Sequence, residues 1–143
     1  MRLLGVDFGT KRIGVAISEG CGWMARGLTT IVRKGGSRDL AAVAKLAAEH
    51  DVQAVVIGLP LNMDGTEGRM ARLARDFAEK LHSSHGLVVH LFDERLSSFE
   101  ADIVMESADV KRSRRRQIRD QVAAAIILEG WMKLNANEWE RDS

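Results

Sequence analysis

Three carboxylates in this chain occupy positions where a carboxylate is costly. Asp7 ends the apolar run Leu3-Leu4-Gly5-Val6, and Glu94 follows Leu91-Phe92-Asp93. Asp120 shares a helical face with Ala124, Ile127 and Trp131. An ionised carboxyl group withdrawn from water needs an ion pair, hydrogen bonds or a metal. Several such groups at one rim repel one another, and a hard divalent cation removes that conflict. Mg2+ and Mn2+ take oxygen ligands, commonly one or two carboxylates together with phosphate oxygens and water. One or two such ions support phosphodiester hydrolysis, activating a water and stabilising the leaving oxygen. For any one acid alone a local ion pair is the simpler reading, for example Glu94 with Arg95. The three together favour a metal-dependent catalytic set. Asp93 alternates with Glu94 along the strand and is expected to face the other way.

Basic residues supply the complementary half of such a site. Lys111, Arg112, Arg114, Arg115, Arg116 and Arg119 form a dense run that reads as a polar stretch leading into the last helix. Cations are disfavoured at a helix N-terminus, so the run suggests contact with a phosphate backbone; a solvated loop is the alternative. Thr10, Lys11 and Arg12 sit in a turn behind Gly9, and glycine lets a phosphate approach the backbone closely. Arg69, Arg72 and Arg75 read as a solvated helix face. His82 and His85 read as helix-terminus residues rather than a zinc pair. Cys21 has no evident histidine partner and is not assigned as a nucleophile. Trp23, Trp131 and Trp139 read mainly as core or docking residues.

The elements that must position these groups follow from the hydrophobic pattern. Strands are expected at about Arg2–Phe8, Gly14–Ser18, Leu28–Arg33, Gln53–Gly58 and Leu87–Asp93. Pro60, the only proline, ends the fourth. Helices are expected from Ser37, acting as a cap, through Ala47, and over Glu67–His82 behind an Asp64/Glu67 capping box. Two more are expected, from a Ser97–Glu100 capping box to Ser107 and over Gln117–Leu134. The order predicts an α/β domain with a mixed sheet. Its first three strands form a meander, and the fourth and fifth arrive by helical crossovers and run parallel. In an open α/β sheet, ligands collect beyond the carboxyl ends of the strands, where Asp7 and Glu94 would converge.

The chain's 143 residues suit one domain, assigned to 1–134 with a polar tail over 135–143. Hydrophobic residues make up 45% and charged residues 29%, as in soluble globular proteins. The net charge of +1 leaves any nucleic-acid partner to local clustering. A single cysteine excludes an internal disulfide. No apolar run is long enough to span a bilayer, and no signal-peptide pattern opens the chain. A cytoplasmic protein without membrane contact is expected.

Four motifs now stand out: Val6 to Ala16, Gly58 to Thr66, Asp93 to Ser98, and Asp120 to Leu128. Together and in this order they resemble the YqgF/RuvX family over nearly the whole chain. The resemblance implies a ribonuclease H-like fold: a five-stranded mixed sheet of order 3-2-1-4-5, strand 2 antiparallel, flanked by helices. It implies a cytoplasmic bacterial nuclease that processes the 5′ end of precursor 16S rRNA. An older label for the family is Holliday-junction resolvase. The family's acidic residues map onto Asp7, Glu94 and Asp120, which would be both catalytic and metal-binding.

Two further classes compete. Asp7-Phe8-Gly9-Thr10 also resembles the first phosphate loop of actin-like ATPases and sugar kinases, yet the second phosphate loop and adenosine loop of those proteins are not evident. A non-catalytic nucleic-acid-binding or assembly factor would tolerate loss of Asp7. Within nucleases, precursor rRNA is the favoured partner and branched DNA the alternative. The chain would act as a monomer or a homodimer.

Overall fold

The computed structural model describes residues 2–18, 24–96 and 112–136, the side chain of Ser113 excepted. Cys21, Trp23, the expected Ser97–Ser107 helix, Lys111, Trp139 and the tail beyond residue 136 lie outside the described residues. Strands β1 (Leu3–Phe8), β2 (Arg12–Ser18) and β3 (Ala25–Val32) precede α1 (Gly36–Glu49). Then come β4 (Ala54–Leu59), α2 (Arg69–His85), β5 (Val88–Asp93), a 3-10 turn over Glu94–Leu96, and α3 (Arg112–Leu134).

The five strands form one sheet of order β3-β2-β1-β4-β5. β2 runs antiparallel to β1 and β3, while β1 pairs with β4 and β4 with β5 in parallel. The meander and the two parallel crossover strands are as expected. β1 and β4 are central and buried on both faces, which is why they read as unbroken apolar runs.

Strand alternation sorts the residues onto two faces. Leu4, Val6, Phe8, Val55 and Ile57 pack against α1 and α2 through Leu40, Val43, Phe77 and Leu81. Leu3, Ala54 and Val56 face α3 through Ile127, Leu128 and Met132. Asp7 alternates with Phe8 and therefore falls on the α3 face, in line with Leu3 and Gly5. Phe92 of β5 belongs to this second core as well.

Small residues let α3 lie close to the sheet. A Cβ on Gly5 would come within 2.6 Å of the Ala124 carbonyl oxygen. One on Gly14 would collide with the backbone of Asp120. Gly14 is also the cross-strand partner of Asp7, so the same glycine seats Asp120 over the strand pair that carries Asp7. Gly14→Ala is therefore expected to cost about 1–3 kcal/mol by forcing the helix off the sheet. Urea unfolding checks this against Gly36→Ala, whose Cβ meets nothing within 4 Å and should not destabilise.

Several local expectations are corrected. α3 begins at Arg112 rather than Gln117, because arginine is a good helix former and continues the helix toward its N-terminus. Asp120 accordingly sits more than two turns inside it. Ser37 does not cap α1; Gly35 precedes the helix and no side-chain cap forms. α2 starts at Arg69 behind Gly68, again without a side-chain cap. Asp64 instead closes its own turn, accepting from the Thr66 amide at 3.0 Å and the Thr66 hydroxyl at 2.6 Å. Glu67 instead pairs with Arg75, Nε to Oε1 at 2.6 Å. β2 starts two residues before its expected position, at Arg12. β3 starts three residues before its own, at Ala25. No helix among the described residues is long and apolar enough to cross a membrane.

Candidate active site

Asp7, Glu94 and Asp120 come from three separate elements and share one end of the sheet. Asp7 leaves the C-terminal half of β1. Glu94 opens the 3-10 turn directly after β5. Between them runs the end of β4, where a Cβ on Gly58 would lie 3.0 Å from Glu94 Cγ and Cδ. Glycine here is what lets the Glu94 side chain lie across the intervening strand.

The electrostatics report the crowding. Burial, and next the charge of Asp120, push the Asp7 carboxyl up from 3.8 to about 6. Burial, and then the charges of Asp7 and Asp93, push Glu94 up from 4.5 to about 7. Asp120 is bonded by Arg12, Nε to Oδ2 at 2.6 Å, so one of the candidate phosphate contacts is also a counter-ion of the candidate site. Among the described residues, no three His, Cys, Asp or Glu side chains are gathered close enough to hold one ion as they stand. The donor set nonetheless suits a hard divalent cation: three carboxylates, two of them destabilised as anions by burial and by neighbouring carboxylates.

Arg95, weighed above as a local partner for Glu94, bonds Glu94's other neighbour in the chain. Arg95 pairs with Asp93, Nη2 to Oδ2 at 2.8 Å, and that bond is the chief reason the Asp93 carboxyl stays below its usual range. Nη1 of Arg95 also donates to the Met63 carbonyl oxygen at 3.2 Å. Arg95 thus ties the Asn62–Thr66 turn to the strand end that bears Glu94. Sequence gave no hint of this, since the acceptor is a backbone carbonyl 32 residues away.

The basic candidates are exposed around this rim. Thr10 and Lys11 lie in the β1–β2 turn, and Arg12 is half-buried against Asp120. Arg112, Arg114, Arg115, Arg116 and Arg119 are exposed on the first turns of α3. α3 is anchored within this stretch, where the Thr30 hydroxyl donates to the Gln117 carbonyl oxygen at 2.8 Å. His82 and His85 are exposed at the end of α2, as expected. Trp131 stacks on His90 with ring centroids 4.7 Å apart, a docking role.

Comparison with known proteins bears on this arrangement. The family described as "RuvX: Holliday junction resolvase" matches residues 1–134. A "Putative pre-16S rRNA nuclease" of Myxococcus xanthus is 54% identical over 132 residues, covering 92% of this chain and 87% of that protein. One of the same name from Moorella thermoacetica is 50% identical, covering 92% and 94%. The fold resembles Thermus thermophilus RuvC with a TM-score of 0.59 at 16% identity, over 94% of this chain and 97% of that one. The fowlpox virus Holliday junction resolvase gives a TM-score of 0.51 at 13% identity, over 95% and 99%. These two likenesses are of fold, which is ribonuclease H-like. With the family matched from residue 1 to residue 134 and relatives at half identity or more, the chain belongs to the RuvX family of nucleases.

Proposed function

We propose that the protein is a metal-dependent endonuclease that trims the 5′ end of precursor 16S rRNA in the cytoplasm, with Asp7, Glu94 and Asp120 as its catalytic acids. One observation carries the catalytic part: two acids from distant elements, Asp7 and Glu94, are each driven toward protonation by burial and a neighbouring carboxylate. Carboxylates perturbed in this way by burial and a like-charged neighbour mark functional sites more often than structural ones. The RNA assignment is supported by relatives at 50–54% identity that carry the pre-16S rRNA nuclease name.

In this reading Asp7, Glu94 and Asp120 would hold Mg2+ or Mn2+, as one or two ions. When bound, the cation supplies Lewis-acid polarisation of the scissile phosphate and offsets charge on the leaving oxygen. Asp7 and Glu94 must give up their protons to act as ligands. Arg12 balances Asp120 and lies near enough to the same rim to meet a phosphate oxygen. Thr10, Lys11, Lys111 and the α3 arginines would grip the flanking backbone, orienting the strand for attack.

The test is cleavage of a precursor 16S rRNA fragment and of a four-way DNA junction by the purified protein with Mg2+ or Mn2+. Metal-dependent cutting of the RNA supports the proposal. Selective cutting of the junction supports the family's older description instead, and would go with a dimer presenting two sites. No cutting of either leaves a binding factor. Binding adds a separate check. Arg114→Gln with Arg116→Gln should weaken RNA binding and flatten the slope of log affinity against log salt by about 0.7 per lost phosphate contact. An unchanged slope would remove these residues from the interface.

A further inference from the structure

The β1–β2 turn that carries Thr10, Lys11 and Arg12 is held from the far side of the sheet. Arg33, just after β3, places its guanidinium 4.5 Å from the centroid of the Phe8 ring. Phe8 lies on the α1–α2 face, opposite Asp7, and packs on Phe77 with centroids 4.7 Å apart. From there Nη1 of Arg33 donates to the Gly9 carbonyl oxygen at 3.2 Å and the Thr10 carbonyl oxygen at 3.4 Å. The Arg33 amide donates to the Lys11 carbonyl oxygen at 2.9 Å. One residue thus collects three successive carbonyls of the turn.

Asp39 fixes Arg33. The residue is 1% exposed, a burial reached by no other charged residue among those described. It accepts from Arg33 Nε at 3.1 Å, from the Lys34 amide at 2.9 Å and from the Gly35 amide at 3.3 Å. Burial alone would raise its pKa. The bonds from the Lys34 amide, Arg33 and the Gly35 amide, with the Arg33 charge, outweigh this and keep it ionised. The planar guanidinium can serve Asp39, two carbonyls and an aromatic face at once, which an ammonium cannot.

We propose that Arg33, held by Asp39, is a positioning residue for the nuclease reaction. It sets the Gly9–Arg12 turn so that Arg12 reaches Asp120 and the turn meets the substrate phosphate. The inference rests on the nuclease reading above. Neither residue touches the reacting atoms; both act through the turn.

Arg33→Lys and Asp39→Asn test it, since each keeps the size and polarity of the site. Two readouts are needed: amide exchange at Gly9, whose N–H donates to the Arg12 carbonyl oxygen at 3.0 Å, and kcat and KM on a precursor-rRNA fragment. The expected result is Gly9 exchange faster by about tenfold with core amides such as Leu4 and Val15 unchanged, and kcat/KM lower by about tenfold, as misplacement of a binding group costs. The double variant should fall no further than the worse single one, because the two act as a unit. Unchanged Gly9 exchange overturns the proposal. So does a loosened turn with kcat/KM intact, or a uniform loosening of all amides with a lower Tm, which would make the pair merely structural. If the parent protein cuts no nucleic acid, the nuclease reading fails instead, and Gly9 exchange alone then decides whether Arg33 orders the turn.

Discussion

Asp7→Asn is expected to lower metal-dependent cleavage by on the order of a thousandfold or more, the scale lost when a major electrostatic contribution to a transition state is removed, while raising stability at neutral pH. Both effects come from one cause. The Asp7 carboxyl titrates near 6 in the folded protein, against an ordinary value of 3.8. The folded state therefore holds the Asp7 proton more tightly than the unfolded chain does, so ionising Asp7 above pH 6 opposes folding. A rise from 3.8 to about 6 corresponds to at most about 3 kcal/mol at pH 7. Asparagine removes the charge and most of that penalty, but cannot serve as an anionic ligand. Urea unfolding and cleavage rates on the same preparation check the pair of effects. A variant that cuts as fast as the parent would remove Asp7 from catalysis. One that is strongly destabilised would mean that Asp7 is a structural acid.

In a chelator, stability should fall as pH rises from about 4 to about 7, and saturating Mg2+ or Mn2+ should restore it at the upper end. Asp7 and Glu94 both bind protons more tightly when folded, at about 6 and about 7, so the folded state holds the extra protons across this window. The slope is therefore negative. The loss should reach a few kcal/mol, less than the sum of the two shifts, since part of the Glu94 shift comes from the Asp7 charge and Glu94 is partly screened by solvent. Asp39 and Asp93 act with the opposite sign. Their carboxyls are held below the usual range, so their support fades only as pH drops below about 4. The protein should thus be most stable in moderate acid when chelated, and near neutrality when metal is present. Denaturant midpoints at a series of pH values, with and without metal, measure this. A flat chelated profile, or no gain from metal at pH 7, would contradict the paired-acid account.

Much of this fold was legible because hydrophobic alternation is a local signal. The apolar run ending at Asp7 and the β-branched run Val55-Val56-Ile57 marked β1 and β4 as buried strands. The sheet order was not local; it came with the four-motif resemblance. Asp7, Glu94 and Asp120 stood out because acids on apolar stripes are costly wherever they occur. The start of α3 was placed five residues late because the arginine run lacks an apolar face, although arginine itself favours helix. The Asp64/Glu67 capping box failed for a different reason. Asp64 found a nearer partner in Thr66, and competing local bonds of this kind are invisible in spacing alone. The Arg33–Asp39 support was hidden because its acceptors are main-chain carbonyls, which every residue type carries.

The central claim is that Asp7, Glu94 and Asp120 form one cation site. A crystal structure of the protein soaked in Mn2+, read by anomalous scattering, tests it most directly. The account predicts one or two anomalous peaks with ligand oxygens from Asp7, Glu94 and Asp120, and Asp120 turned from Arg12 toward the ion. Peaks elsewhere on the surface, or none at this rim while Asp120 stays bonded to Arg12, would contradict it.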